Sequence, residues 1–351
     1  MGFFDLFSRK NKIGDMNEIL RGTVQSTRSG ASVTADSAMR CAAVYACISV
    51  LSESVAQLPL ILYEKKSDGS RVRRTDHPLY KILHDQPNEW QTAFDFWEHM
   101  TAICALRGNS YAYINRGVGG KVLELIPLDC SSVKVSRNSD LSLSYTIPDG
   151  GSTRTVEASS ILHLRYRSLD GYTGISPIKY NRETVGLSMA ATEHGAEVFG
   201  SGAMVAGVLT IPGTLSDDAR KRLKDAWNEN YHGTGKKLQT AVLDNGAKWE
   251  KMSLSAEDAQ YIETRKLQRS EIAAIYRIPP HKIGDLEHAT FSNIEHQSIE
   301  FVREALVPWL RRFEQAIKRD LLTEQERQTI YPEFLVEGML RGDSAARAQF
   351  Y

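Results

Sequence analysis

Residues 279–298 read PPHKIGDLEHATFSNIEHQS. His281, His288 and His296 alternate there with Asp285, Glu287 and Glu295, directly behind two prolines. Imidazole and carboxylate groups at short range can hold a divalent cation or move a proton, so this stretch is the first candidate for chemistry. Its spacing argues against both uses. The histidines stand seven and eight residues apart, whereas two ligands sharing a helix face stand three or four apart. Glu295 and His296 are adjacent and diverge on a helix. A soluble metal-dependent hydrolase using residues 281–296 is therefore the second reading. An exposed polar loop between two helices is the first. Prolines at the entry, Gly284 inside, and Thr290, Ser292 and Asn293 before the next helix suit a segment that has to stay irregular.

Other enzyme signatures fail at named positions. The chain has no H-E-x-x-H, no G-x-S-x-G and no G-x-G-x-x-G between a strand and a helix. HGTGKKL at 232–238 resembles the end of a phosphate loop, but Asn230 stands where the first Gly is needed and Lys237 replaces the Ser or Thr that holds magnesium. It reads as a Gly-rich turn. Cys41, Cys47, Cys104 and Cys130 include no C-x-x-C pair; Cys41 and Cys47 read as small buried hydrophobes on a helix. Sparse cysteine fits synthesis in a reducing cytoplasm. No catalytic residue, cofactor or metal is expected. Forty-three basic side chains balance 43 acidic ones, which argues against a third reading, a monomeric protein that grips DNA.

The elements that would position these residues follow from patterning. At 351 residues, two or three domains are expected. The start, MGFFDLFSRKNK, lacks the charge and apolar length of a signal peptide, and Leu6 stands where a myristoylation signal needs Ser or Thr. No run reaches the roughly 20 apolar residues of a membrane span, and no membrane contact is expected. The start reads instead as an amphipathic arm that docks on a neighbour, within a flexible N-terminal segment, 1–35. A helix over 37–57 follows, with apolar positions Val44, Tyr45, Ile48, Leu51 and Val55 and, just past it, Leu58; then comes a hairpin through Asp68-Gly69. Arg71, Arg73 and Arg74 on its outer strand read as a solvated edge. A second helix, 92–108, carries Phe94, Trp97, Met100, Ile103 and Leu106, and short alternating strands continue to about residue 170. Together these make an α+β domain.

Ser176 and Pro177 then open a helix running to about Phe199, on the order of 35 Å long, rich in small residues. A small α/β insert at 203–254 has a strand, a helix capped by Ser216, and a hairpin around Asn245-Gly246. A returning helix, 255–278, opens on a Ser255–Asp258 capping box and stops at Pro279-Pro280. Beyond the polar loop a third long helix, 294–322, carries Pro308 inside its apolar pattern, which predicts a kink. Two antiparallel helices holding a small insert have little surface to bury alone, and copies of the same chain in a ring would supply it.

GISPI, GVLTIPGTLSDDARKRLKDAWNENYHG, the run from VLDNGAKWEKMSLSAEDAQ to IPPHKIGD, ATFSNIEHQSIEFVREALVPWLRRFEQAI and LRGD resemble, in order and spacing, the phage portal protein family of tailed double-stranded-DNA phages. The resemblance implies a portal-type subunit: an N-terminal arm (1–35), a mixed α/β wing (36–175), two stem helices (176–202 and 255–278), a clip (203–254), a tunnel loop (279–293), a long wing helix (294–322), and a wing return with the start of a largely missing crown (323–351). It implies a ring, typically twelvefold, in the virion at one capsid vertex. Its expected partners are further copies of itself, passing double-stranded DNA, the terminase large subunit, a head-tail adaptor, and the major capsid and scaffold proteins. It assigns the loop residues His281, Lys282, Asp285, Glu287, His288 and Thr290 to the channel, names Lys266 and Arg269 as stem candidates, and gives the clip a docking surface at Asp217, Arg220, Lys224 and Tyr231. Lys266 and Arg269 could instead pair with Glu263 or Glu271, and Trp227 and Trp249 read as the clip's own small core. Mixed charge on the loop suits weak, sliding contact, since every retained lysine–phosphate contact favours holding DNA.

Overall fold

The protein is described from a computed structural model, which describes residues 27–200, 207–210, 212, 216–231, 248–251, 256–286 and 291–340. The chain divides into two compact units, residues 1–191 with 266–351, and residues 192–265. In the first, the part of the arm that is described is tied down. Thr27 is buried and donates to Ala31 O, and Arg28 N–H donates to Glu183. Thr34 then caps a short helix, α1 (Ala35–Ala38), in a capping box with Ser37. The single helix predicted over 37–57 is interrupted, because Cys41 takes extended φ/ψ and restarts the chain as α2 (Ala42–Ala56). Val44, Ile48, Leu51 and Val55 are buried as the pattern predicts, but Tyr45 is 57% exposed.

The predicted hairpin forms from β1 (Leu60–Lys65) and β2 (Arg71–Arg73), followed by α3 (Pro78–His84). Arg71 pairs with Glu333 and lies over the Tyr63 ring, and Arg74 pairs with Glu64 and Asp76. Helix α4 (Ala93–Arg107) opens on a Thr92–Asp95 capping box and ends at Gly108, whose φ of +81° a side chain would resist. Trp97, Met100 and Leu106 of the predicted stripe are buried, together with Phe96, Thr101, Cys104 and Ala105. Phe94 is exposed and Ile103 half-buried, because the helix turns its 96/97/100/104 row to the core.

Strands β3 (Asn109–Arg116), β4 (Val122–Leu128), β5 (Lys134–Arg137), β6 (Leu143–Asp149), β7 (Ser152–Glu157) and β8 (Ile161–Arg165) form two antiparallel sheets, ordered β4-β3-β8 and β5-β6-β7. Tyr111, Val135, Tyr145, Ile147 and Ile161 close a small core of their own. After β8 the chain recrosses the start of β3 at backbone contact distance. A Cβ on Gly174 would lie 1.9 Å from Gly108 O, so only glycine fits. Ser176 both donates to Leu106 O and caps the next helix by accepting from Lys179 N–H.

The helix predicted from Ser176 to about Phe199 is two pieces rather than one. α5 (Pro177–Tyr180) stops at Asn181, whose φ/ψ of −110°/27° is not helical, and α6 (Arg182–Gly200) follows. In the second unit β9 (Gly207–Thr210) pairs antiparallel with β10 (Lys248–Lys251), and α7 (Asp217–Tyr231) has Ser216 accepting from Ala219 N–H. The Asn245-Gly246 turn and Ser255 lie outside the described residues, as do the side chains of Trp227 and Trp249.

The returning helix is α8 (Ala256–Tyr276). After a 3₁₀ turn (Pro280–Ile283) come α9 (Phe291–Glu300), a π-helical stretch (Phe301–Leu306), α10 (Val307–Leu321), β11 (Ile330–Phe334) and α11 (Glu337–Leu340). β11 pairs with β1, Tyr63 opposite Tyr331, which completes a β11-β1-β2 sheet. Phe96, Phe301 and Phe313 are among the largest fully buried side chains of the main core, and each contributes about 2–3 kcal/mol by burial.

Candidate functional site

The polar stretch begins where α8 is stopped. Arg277 has φ of +57°, Ile278 N–H donates to Ala273 O and Arg277 N–H to Ala274 O. That is a Schellman ending with arginine at the position glycine usually fills. An L-residue there costs about 1–2 kcal/mol. The side chain gives a reason to keep it. Pro308 has no N–H to offer the carbonyl four residues earlier, Glu304 O, and Arg277 donates to that oxygen at 3.4 Å. The predicted kink at Pro308 takes this form: wide π turns over Phe301–Leu306 lead into α10, with proline in its first turn.

The 3₁₀ turn packs on the same helix run. The His281 Nδ1 lies 2.8 Å from Gln297 Oε1 and its Nε2 lies 3.5 Å from Ser298 Oγ. Both ring nitrogens are thus engaged by α9. The Lys282 ammonium sits 5.0 Å from the centre of the buried Phe301 ring, and partial burial holds its pKa below the usual lysine range. Asp285 N–H donates to Pro280 O, and Leu286 is 63% exposed. Glu287, His288 and Thr290 lie outside the described residues. The structure therefore brings His281 and Lys282 together as the fastened base of the stretch.

On α8, Lys266 is half-buried and Arg269 exposed, one turn apart on one face. Leu267 beside them is 61% exposed. Leu187 on α6 is 48% exposed and Tyr180 on α5 51%. The face of α8 turned inward carries Gln268, Ile272, Ala273 and Tyr276, all buried. Neither end of the Gln268 amide has a hydrogen-bond partner. On α7, Asp217 and Arg220 form an exposed ion pair at 3.1 Å, while the side chains of Lys224 and Tyr231 lie outside the described residues.

Sequence reasoning missed three features. One is Arg277, which only the pairing of a proline-stopped helix with a proline inside the next could have flagged. The second is Gly186 on α6, where a Cβ would meet Thr27 Cγ2 at 2.6 Å, so the helix is notched for the incoming chain. The third is a buried polar network around His163. Asn109 donates to Gly174 O and accepts from Gly174 N–H, which turns its amide oxygen toward His163 Nε2–H at 2.9 Å. Nδ1 then accepts from the Tyr145 hydroxyl at 3.1 Å. Burial, with Arg165 and Arg319 nearby, pushes the imidazole well below its ordinary pKa, so it is neutral. The network joins β3, β6 and β8 and has no nucleophile, so it holds structure together. Among the described residues, no group of three His, Cys, Asp or Glu side chains is placed to hold a metal ion, and no helix is long and apolar enough to cross a membrane.

Comparison with known proteins agrees with the architecture. The phage portal protein family profile matches residues 42–351. The portal protein of Enterobacteria phage HK97 is 30% identical over 323 residues, covering 91% of this chain and 76% of its own. A probable portal protein of Streptomyces phage phiC31 is 30% identical over 343 residues, covering 92% and 73%. The fold is similar, at TM-score 0.64 and 20% identity over 96% of this chain and 92% of the other, to a chain in the neck of a native gene transfer agent particle computed with C12 symmetry. The chain belongs to the phage portal protein family.

Proposed function

We propose that copies of this chain close into a ring, twelve in number, at one vertex of a phage capsid, with a central channel for double-stranded DNA during packaging and ejection. Family membership across nearly the whole chain is the observation that carries this reading. Two further features support it. Tyr45, Tyr180, Leu187 and Leu267 leave apolar surface uncovered on the helices of one copy, as expected of faces that meet a neighbour. The balanced charge of the chain suits a bore that DNA slides through rather than grips.

In this reading the subunit does no bond chemistry. A separate terminase ATPase docks at the clip, through a surface including Asp217, Arg220, Lys224 and Tyr231, and a head-tail adaptor replaces it; capsid and scaffold proteins surround the wing. The stretch after Pro279 is the tunnel loop. His281 and Lys282 anchor its base, Asp285 and the distal residues Glu287, His288 and Thr290 meet DNA transiently, and Lys266 with Arg269 line the stem or pair between copies. Native mass spectrometry with negative-stain imaging tests the ring. Particles near twelve times the 39.3 kDa chain with a central hole are expected; particles of another closed form, or monomers alone, count against it.

A further inference from the structure

An uncovered strand edge is a template for another strand, and three edges in the first unit are covered by other parts of the chain. On β4, Leu125 N–H donates to Pro87 O and Leu125 O accepts from Asn88 Nδ2. On β8, His163 N–H donates to Asp320 and His163 O accepts from Arg319. On β11, Phe334 N–H donates to Glu314 at 2.9 Å. Strands β2 and β5 are only three and four residues long, and each begins and ends on Arg or Lys, which blunts an edge by charge. Strand β7 has none of these protections. It reads STRTVE over six residues, without proline or a register shift, and every residue but Val156 is exposed. Its one cation is occupied: Arg154 lies 5.0 Å from the centre of the Tyr113 ring and pairs with Asp149 at 3.6 Å.

The register says which groups this edge offers. Asp149 stands opposite Ser152 across Gly150-Gly151, both with positive φ, which is the two-residue turn of a tight hairpin. The pair that closes such a turn is hydrogen-bonded, so Ser152, Arg154 and Val156 direct their backbone groups to β6 while Thr153, Thr155 and Glu157 direct theirs outward. Pro148 fits that phase, because it faces Thr153, where β6 needs no N–H toward β7. Among the described residues, no hydrogen bond reaches the N–H groups of Thr153, Thr155 and Glu157 or the carbonyls of the two threonines. A row of alternate donors and acceptors is matched by another extended backbone. A second β7 matches it poorly. In an antiparallel pair the outward residues 153, 155 and 157 have to face one another, so no register sets Glu157 opposite Arg154, and the carboxylate goes unmet. We propose that β7 receives an extended segment of a partner protein, which bonds through its backbone to Thr153, Thr155 and Glu157, sets a Lys or Arg opposite Glu157, and lays apolar side chains beside Val156. The proposal needs this edge but not the ring.

The test uses the purified full chain and a fluorescein-labelled peptide, Lys-Val-Thr-Val-Thr, which would run antiparallel from Glu157 to Thr153. Anisotropy is expected to report binding, and millimolar peptide is expected to slow hydrogen exchange at residues 153–157. Thr155→Pro removes one outward N–H and leaves the bonds to β6 in place, so it should weaken binding about tenfold with the unfolding midpoint near that of wild type. Methylating alternate amides of the peptide should have the same effect with the protein unaltered, which keeps the test decisive if the proline variant unfolds. Glu157→Lys should weaken binding several-fold. Unslowed exchange at 153–157 overturns the proposal, as does binding that survives both the proline and the methylated peptide. Dimers of the chain alone that Thr155→Pro dissolves in analytical ultracentrifugation overturn it too, since the edge would then belong to a second copy.

Discussion

His163 is buried among aromatic rings with both nitrogens committed, Nε2 as donor to Asn109 and Nδ1 as acceptor from Tyr145. Its folded pKa lies below the unfolded value of about 6.5. The unfolded chain therefore binds a proton that the folded chain refuses. The resulting stability is complete above about pH 6.5 and is lost as pH falls below it, by up to about 1.4 kcal/mol per pH unit, until the folded pKa is reached. Urea unfolding at pH 7.5, 6.0 and 5.0 should show this loss. His163→Gln should lower stability at pH 7.5 by about 1–3 kcal/mol and flatten the slope below pH 6.5. In the sequence His163 is one alternating position in ILHLR, and pattern assigned it only to a strand. Its partners lie 18 and 54 residues away along the chain, beyond the reach of any local spacing rule.

At the scale of elements, helix α8 and the turn that ends it carry two polar side chains with opposite expectations. Arg277 has an unfavourable φ and a useful guanidinium. Arg277→Gly relieves the backbone while losing the bond to Glu304 O; Arg277→Ala loses the bond and keeps the strain. Thermal unfolding should rank wild type and Gly close together, with Ala lower by about 1–2 kcal/mol. Gln268 is the reverse case, a buried amide with no bond to lose. Gln268→Leu should stabilise the subunit by about 1–2 kcal/mol in urea denaturation, and a loss would show that the amide has a partner in solution. Boundaries set by local chemistry were legible: the Asp68-Gly69 hairpin, the Ser176 and Ser216 caps, and the stop before Pro279-Pro280. Interruptions at Met39–Cys41 and Asn181 were not, since the apolar stripe begins only at Val44 and the start signals at Ser176-Pro177 say nothing of a break four residues on. Two positions on the face of α4, Phe94 and Ile103, were misread for a related reason. Phe94 and Ile103 are as apolar as Phe96 and Cys104, and only packing decides which row turns inward.

For the whole molecule, the family was legible because many separate segments agree in order. The polar loop carries residue types that also serve metal sites. Its base is fastened to α9 by His281 and to Phe301 by Lys282. If the proposed ring forms, the exposed apolar residues of the stem-forming helices lie between copies. Leu267→Asp should then leave the unfolding midpoint of the isolated subunit within about 0.5 kcal/mol of wild type, because the position is 61% exposed. It should shift the assembled fraction toward monomer by tenfold or more in analytical ultracentrifugation. An unchanged sedimentation profile would remove Leu267 from the contact.

The wide turns at Phe301–Leu306 also set the phase of the helix on either side of them. Each residue in an α-helix advances the direction of its side chains by about 100°, so a single deletion within this stretch would let it close as ordinary α-helix. The face of α9 bearing Gln297 and Ser298 would then swing away from His281 in the 3₁₀ turn that it now engages. Two partners far apart along one rod are kept in angular step by a local surplus of backbone, much as a vernier aligns two scales of different pitch.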